Sequence, residues 1–236
     1  MKKLAVITGA SKGIGKALTK SFASEGLSLA LCARTKSDLQ SLREEIAVIY
    51  PETDILIQVA DVSNKEEVLL FARKVSEMGL PVEVLINNAG VFLPGQVHSE
   101  EDGALERQIE TNLYSAYHLT RALLPAMMES RRGHIFNICS TASITAYTNG
   151  GSYGISKFAL LGMSKVLREE MKPFNIRVTS VIPGATLTNS WAGTDLPEGR
   201  FMKPEDVAEV VLNAYQLSER SVVEEIVLRP QLGDIG

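Results

Sequence analysis

Tyr153 and Lys157 stand four residues apart in Ser152–Lys172, a segment with the apolar spacing of an amphipathic helix, so both side chains leave one face. A phenol beside a fixed ammonium is a tyrosine whose proton can be moved. The free group has pKa ~10, and a nearby positive charge favours the phenolate. The spacing therefore predicts a lowered Tyr153 pKa and a general acid that protonates a carbonyl oxygen as it becomes an alkoxide. Alone, the pair equally describes chance surface residues of an amphipathic helix. Two other side chains strengthen it. Ser140 ends the apolar run Ile135–Ser140, where its hydroxyl is able to steady charge on a substrate oxygen or, more blandly, to cap a loop. Asn112 lies beside an apolar stripe formed by Leu105, Ile109, Leu113, Ala116, Thr120, Leu123 and Leu124, where a buried amide needs partners.

These groups need a scaffold, and the chain alternates short β-rich runs with longer helical ones. Strands are predicted at Leu4–Thr8, Leu29–Ala33, Asp54–Ala60, Val84–Asn87, His134–Ser140, Arg177–Ile182 and Glu225–Leu228. Their apolar residues run unbroken, as expected when helices cover both faces of a parallel sheet. Helices are predicted at Ile14–Glu25, Lys36–Ile49, Lys65–Met78, Glu101–Glu129, Ser152–Lys172 and Glu205–Gln216. Ser63-x-x-Glu66 and Ser99-x-x-Asp102 read as capping boxes, and Pro204-Glu205-Asp206 as a helical first turn. The expectation is one domain, 1–236, a doubly wound α/β sandwich of three layers. Its longest irregular stretch, 183–203, is long enough to be a substrate loop.

The first strand runs into Thr8-Gly9-Ala10-Ser11-Lys12-Gly13-Ile14-Gly15, where a helix begins. Glycines at such a junction let backbone approach a pyrophosphate, and the helix N-terminus offers free N–H groups to the same anion. The second strand ends Ala33-Arg34-Thr35 with no acid before Asp38. A ribose-binding acid is thus missing, while Arg34, aided by Lys12, suits a 2′-phosphate. The reading is NADP(H) in preference to NAD(H). Thr35 is expected to cap the next helix. Asn87-Asn88-Ala89-Gly90 after the fourth strand provides amides to tie neighbouring strands and a glycine that admits a ligand.

A net charge of −4 and a pI near 5.5 give no basic footprint for nucleic acid or anionic membrane. No apolar stretch approaches ~18 residues. Cys32 and Cys139 sit in apolar runs as buried thiols, with no metal spacing, and His98, His118 and His134 are scattered. A cytoplasmic protein without metal is expected.

Together these segments resemble the short-chain dehydrogenase/reductase family, in its single-domain branch, over Leu4 to about Asp206. The resemblance implies a Rossmann sandwich with a seven-stranded parallel sheet. It places Thr8, Gly9, Gly13 and Gly15 on the cofactor turn; Ser11, Lys12 and Ile14 within that turn, and Arg34 as read above, are expected as further cofactor contacts. Asp61 and Val62 match the adenine contact, and Asn88, Ala89 and Gly90 the motif beside the cofactor. Asn112, Ser140, Tyr153 and Lys157 match the catalytic tetrad, and Pro183, Gly184 and Thr188 the nicotinamide-side motif. Asn112 would anchor a water in a proton relay to Lys157, and Lys157 would also hold the ribose hydroxyls. A homodimer or homotetramer acting on a small carbonyl or alcohol substrate is implied. Phe92, Thr141, Ala142, Tyr147, Leu187 and Trp191 follow the catalytic motifs in order and are expected to line an apolar or aromatic substrate pocket. The competing reading is a non-catalytic NADP-sensing regulator, against which the retained Ser140, Tyr153 and Lys157 argue.

Overall fold

The structure is a computed structural model that describes residues 2–191 and 193–235, the side chain of residue 190 excepted. Seven strands form one parallel sheet: β1 (Leu4–Thr8), β2 (Ser28–Ala33), β3 (Ile55–Val59), β4 (Val82–Asn87), β5 (Gly133–Ile138), β6 (Ile176–Pro183) and β7 (Glu225–Leu228). Their order is β3-β2-β1-β4-β5-β6-β7, every pairing parallel. The predicted doubly wound sandwich and its seven-stranded sheet are both present.

The unbroken apolar runs divide between two cores because successive strand side chains point to opposite faces. Ala5 and Ile7 of β1 join one core with Leu18 and Phe22 of α1 (Gly13–Ser24), Leu39 and Leu42 of α2 (Lys36–Ile49), and residues of α7 (Pro204–Gln216). Leu4 and Val6 join the other. There they meet Phe71 and Val75 of α3 (Lys65–Glu77), Leu119 and Leu123 of α5 (Ser115–Ser130), and Leu167 of α6 (Gly151–Met171). Each fully buried Phe or Leu contributes about 1.5–3 kcal/mol relative to exposure. No helix among the described residues is long and apolar enough to cross a membrane.

Several predicted boundaries are corrected. The cap of α3 is Asn64, whose side-chain oxygen accepts from Glu66 N at 2.9 Å and Glu67 N at 3.4 Å. Ser63 turns to the Asp61 carboxylate instead, at 2.8 Å. The Ser99 box is not formed either. Thr35 precedes α2 without a side-chain cap bond.

The long helix predicted at Glu101–Glu129 is three pieces: α4 (Ala104–Ile109), a π turn (Glu110–Tyr114) and α5. Gly103, at φ 84°, starts α4. The inward face is not the one that the apolar spacing predicted. Leu105 is 39% exposed, whereas Gln108 and Asn112 are buried at 0% and 1%. A polar pair faces inward because it has backbone to satisfy. Asn112 bonds Val91, its Oδ1 accepting from N at 2.7 Å and its Nδ2 donating to O at 3.0 Å. Gln108 treats Leu93 the same way, at 3.1 and 3.3 Å. The chain after β4 thus runs along two side-chain amides as it would along a strand edge.

The chain proceeds outward from β1 to β3, then returns to place β4 on the other side of β1. The crevice above the carboxyl ends of β1 and β4 is therefore the topological switch point, where open α/β sheets bind ligands.

Candidate active site

The glycine turn leaves β1 at this switch point. Gly9 has φ 61° and Gly13 φ 49°, conformations that L side chains rarely adopt. At Gly15 a Cβ would collide with the Gly9 carbonyl oxygen. The turn is locked to the next strand end. Thr8 Oγ1 accepts from the N–H groups of Asn88 and Ala89, each at 3.0 Å, and Asn88 Nδ2 donates to the carbonyls of Thr8 (2.9 Å) and Gly9 (3.1 Å). Helix α1 begins at Gly13 without a side-chain cap or first-turn acid. Its leading N–H groups and positive dipole end are left for an anion. Ser11 and Ile14 belong to this same turn.

Arg34 follows β2 as an exposed guanidinium with no ion pair or hydrogen bond among the described residues. Lys12 differs from its expected role as a second free charge: its ammonium pairs with Asp38 at 3.0 Å. Asp61 is exposed after β3, accepting from Ser63 N at 3.0 Å, and Val62 is buried.

Strand β5 ends at Ile138, two residues short of the predicted end, and Ser140 starts a single 3-10 turn, Thr141–Ser143. The Ser140 hydroxyl accepts from Ala142 N at 3.1 Å. It also stands near enough to the Tyr153 phenol to favour its ionised form. Cys139 beside it is buried, its thiol pushed up to about 11 chiefly by burial, so it stays protonated and inert.

Helix α6 carries Tyr153 and Lys157 on one face. Lys157 is only 4% exposed and its ammonium donates to Ile138 O at 2.9 Å. It stands 5.9 Å from the Tyr153 ring centroid. Burial pulls the Lys157 ammonium down to about 8. Gly90 makes room for it: a Cβ there would lie 3.4 Å from Lys157 Nζ and 3.2 Å from Asn112 Oδ1. Asn112 also donates to Ser156 Oγ of α6 at 2.8 Å, so its side chain ties the π turn, the β4 exit and α6 together.

The Tyr153 proton departs from expectation. Burial pushes the phenol up to about 12, and the nearby Ser140 hydroxyl only partly opposes this. Desolvation disfavours the phenolate more than the chain's own groups stabilise it. The protein itself therefore favours the protonated phenol at Tyr153.

Pro183 ends β6. Gly184 N donates to Leu228 O at 2.8 Å, and a Cβ on Gly184 would lie 3.1 Å from Pro230 and 3.2 Å from Asp234. The segment 183–203 closes on itself, since Leu187 N donates to Met202 O and Met202 N to Ala185 O. Thr188 leans over the glycine turn: a Cβ on Gly13 would lie 2.8 Å from its methyl.

A family model described as short chain dehydrogenase matches residues 3–198. The chain belongs to the short-chain dehydrogenase family. It is an oxidoreductase. It is 35% identical over 243 residues to a sepiapterin reductase of Chlorobaculum tepidum, spanning 100% of this chain and 99% of that protein. An alcohol dehydrogenase of Thermococcus sibiricus, solved with 5-hydroxy-NADP, superposes with TM-score 0.92 at 28% identity, covering 100% of both chains. L-Sorbose reductase of Gluconobacter frateurii, solved with NADPH and L-sorbose, superposes at 0.89 with 27% identity, over 97% of this chain and 95% of that one.

Within this short-chain dehydrogenase, the switch point gathers Thr8, the glycine turn, Asn88–Gly90, Asn112, Ser140, Tyr153, Lys157 and Thr188. Arg34 and Asp61 stand at the neighbouring strand ends. The aromatic residues expected around a substrate separate. Phe92 packs edge-on against Tyr153, centroids 4.8 Å apart, and Tyr147 is close enough to Tyr153 to interact electrostatically. Ala142 is buried in the Ser140 turn. Trp191 packs on Phe201 at 5.0 Å, anchoring the long loop. Gln108, Glu100 and the Pro230–Asp234 tail escaped sequence reasoning, because each acts on backbone far away in the chain.

Proposed function

We propose that this enzyme is an NADPH-dependent carbonyl reductase that converts a ketone or aldehyde into an alcohol, reversibly. The observation that carries the reading is the convergence of a protonated Tyr153, beside Ser140 and backed by the buried Lys157 ammonium, on the crevice beside the glycine turn. The residues present fit a dinucleotide phosphate. A turn that Cβ atoms would block and an uncapped helix start suit the pyrophosphate, with Gly9, Gly13 and Gly15 nearest. The unpaired Arg34 suits the 2′-phosphate. Asp61 and Val62 would take the adenine, Asn88–Gly90 the ribose side, and Pro183, Gly184 and Thr188 the nicotinamide side. NADPH supplies the hydride.

The chain supplies the proton and the placement. Ser140 Oγ donates to the substrate carbonyl oxygen as charge builds there. Tyr153 Oη gives its proton to that oxygen while the carbonyl carbon receives the hydride. The charge left on Tyr153 lies close to the Lys157 ammonium. Lys157 would also hold the ribose hydroxyls, and a relay water at Asn112 would return the proton. The Asn112 side chain is engaged with Val91 and Ser156, so such a water would depend chiefly on its backbone. Phe92 and Tyr147 beside the acid favour an apolar or aromatic carbonyl compound, with Thr141 and Leu187 as further candidate contacts and Trp191 anchoring the loop on Phe201. The sepiapterin reductase relative supports an aromatic substrate class.

The test is NADPH consumption against a panel of pterin, 3-oxoacyl, aryl and small aliphatic carbonyl compounds. Turnover of none, with NADPH bound, would favour the sensor. Arg34→Glu is expected to lower the kcat/KM ratio for NADPH over NADH by about tenfold or more, since it replaces a phosphate fork by an anion. An unchanged ratio removes Arg34 from the 2′-phosphate.

Self-association as a homodimer or homotetramer would use the exposed apolar side chains of the π turn, α5 and α6, namely Tyr114, Tyr117, Ile155, Phe158 and Val166. Sedimentation velocity is expected to show an oligomer that Phe158→Glu dissociates; a monomer at all concentrations refutes it.

A further inference from the structure

We propose that Glu100 is a positioning residue, a cap supplied from the β4 side of the crevice that fixes the first turn of α6 and thereby the Tyr153 hydroxyl. This rests on the reading of Tyr153 as the acid. Helix α6 has no cap of its own: Gly150 precedes it, and its first turn holds no acid. Its leading N–H groups need an acceptor. Glu100, 52 positions earlier, provides one. Its Oε1 accepts from Ser152 N at 2.8 Å, and its Oε2 accepts from the Ser152 hydroxyl in a short hydrogen bond. A carboxylate there also complements the helix dipole. The Ser152 contacts hold the Glu100 carboxyl below the usual range, so it is ionised at neutral pH.

The surroundings are shaped to admit this side chain. Gly151 takes φ 32°, and a Cβ on it would collide with Glu100 Oε1 and lie 2.6 Å from Gly95 O. A Cβ on Gly95 would come within 2.5 Å of the Glu100 side chain. Around them Gly95 N donates to Asn149 O at 3.1 Å, and Gln96 Nε2 to Asn149 Oδ1 at 3.0 Å. The segment 91–100 is therefore a strap fastened at both ends. Asn112 and Gln108 hold Val91 and Leu93, leaving Phe92 between them against the Tyr153 ring. Glu100 holds the residue directly before Tyr153. The acid is clamped from its ring and from its backbone by one piece of chain.

A first turn without its cap frays, and a shift of the order of an ångström at a reacting group can cost about a hundredfold in rate. Glu100→Ala is expected to lower kcat by about tenfold or more, with KM for the carbonyl compound and the Kd of NADPH within about twofold. Glu100→Gln, which keeps the acceptor for Ser152 N, is expected to recover most of that loss. Neither should move the alkaline limb of the pH profile, because Glu100 passes no proton. Amide hydrogen exchange over residues 150–156 supplies an independent readout, expected to quicken in Glu100→Ala. Unchanged kcat overturns the proposal whatever exchange does, and so does a lowered kcat with unchanged exchange. If the wild-type chain reduces no carbonyl compound, the reading of Tyr153 falls and exchange alone decides: faster exchange upholds the tether, unchanged exchange overturns it.

Discussion

Tyr153→Phe is expected to lower kcat for carbonyl reduction by about three orders of magnitude while NADPH binding stays within about twofold of wild type. The substitution deletes one oxygen and keeps the ring, so the packing against Phe92 at 4.8 Å survives. What disappears is the proton that the nascent alkoxide would take. General acid catalysis of this kind is worth roughly 10²–10⁴-fold, and the expected loss lies in the middle of that range. Single-turnover NADPH consumption, beside cofactor titration by fluorescence, measures both halves. A rate within tenfold of wild type would remove Tyr153 as the acid.

Lys157→Met should be nearly as damaging to kcat, yet stabilising to the fold. The folded ammonium titrates near 8 and the unfolded one at its ordinary value of 10.5. The unfolded chain thus binds more protons between those values. The burial cost is fully present below about pH 8 and fades as pH rises toward 10.5, being on the order of 3 kcal/mol at neutral pH. Thermal unfolding is expected to show Lys157→Met above wild type at pH 7, the gap narrowing toward pH 10. The same titration shapes activity. With Tyr153 near 12, the acid stays protonated, so reductive kcat is expected to be flat below about pH 8. Above it kcat falls about tenfold per unit as Lys157 loses its charge. Lys157→Met should show a low rate without that limb. A limb that persists in the variant assigns it to another group, and a destabilised variant refutes the buried-charge cost.

The strands were legible because each is a short apolar run, and burial on both faces of a parallel sheet demands little else. The glycine turn was legible for a related reason: close backbone approach excludes side chains, and only glycine writes that requirement into the chain. The helix Glu101–Glu129 was misread because its apolar spacing carries no mark of a π turn, and because Gln108 and Asn112 turn inward to satisfy backbone at Val91 and Leu93. The cap at Asn64 was missed by one residue, because Ser63 and Asn64 are both capping types and only the fold shows that Ser63 is engaged by Asp61.

Residue type and local spacing by themselves determined the alternation of strand and helix, the glycine turn and the Tyr153–Lys157 pair, all of which are short-range properties. Tertiary structure alone decided that burial favours the protonated Tyr153, that Lys12 is paired with Asp38 while Arg34 has no partner among the described residues, and that Glu100 reaches the start of α6. Those outcomes depend on desolvation and on contacts between segments distant in the chain. Neither quantity exists until the sheet has brought those segments together.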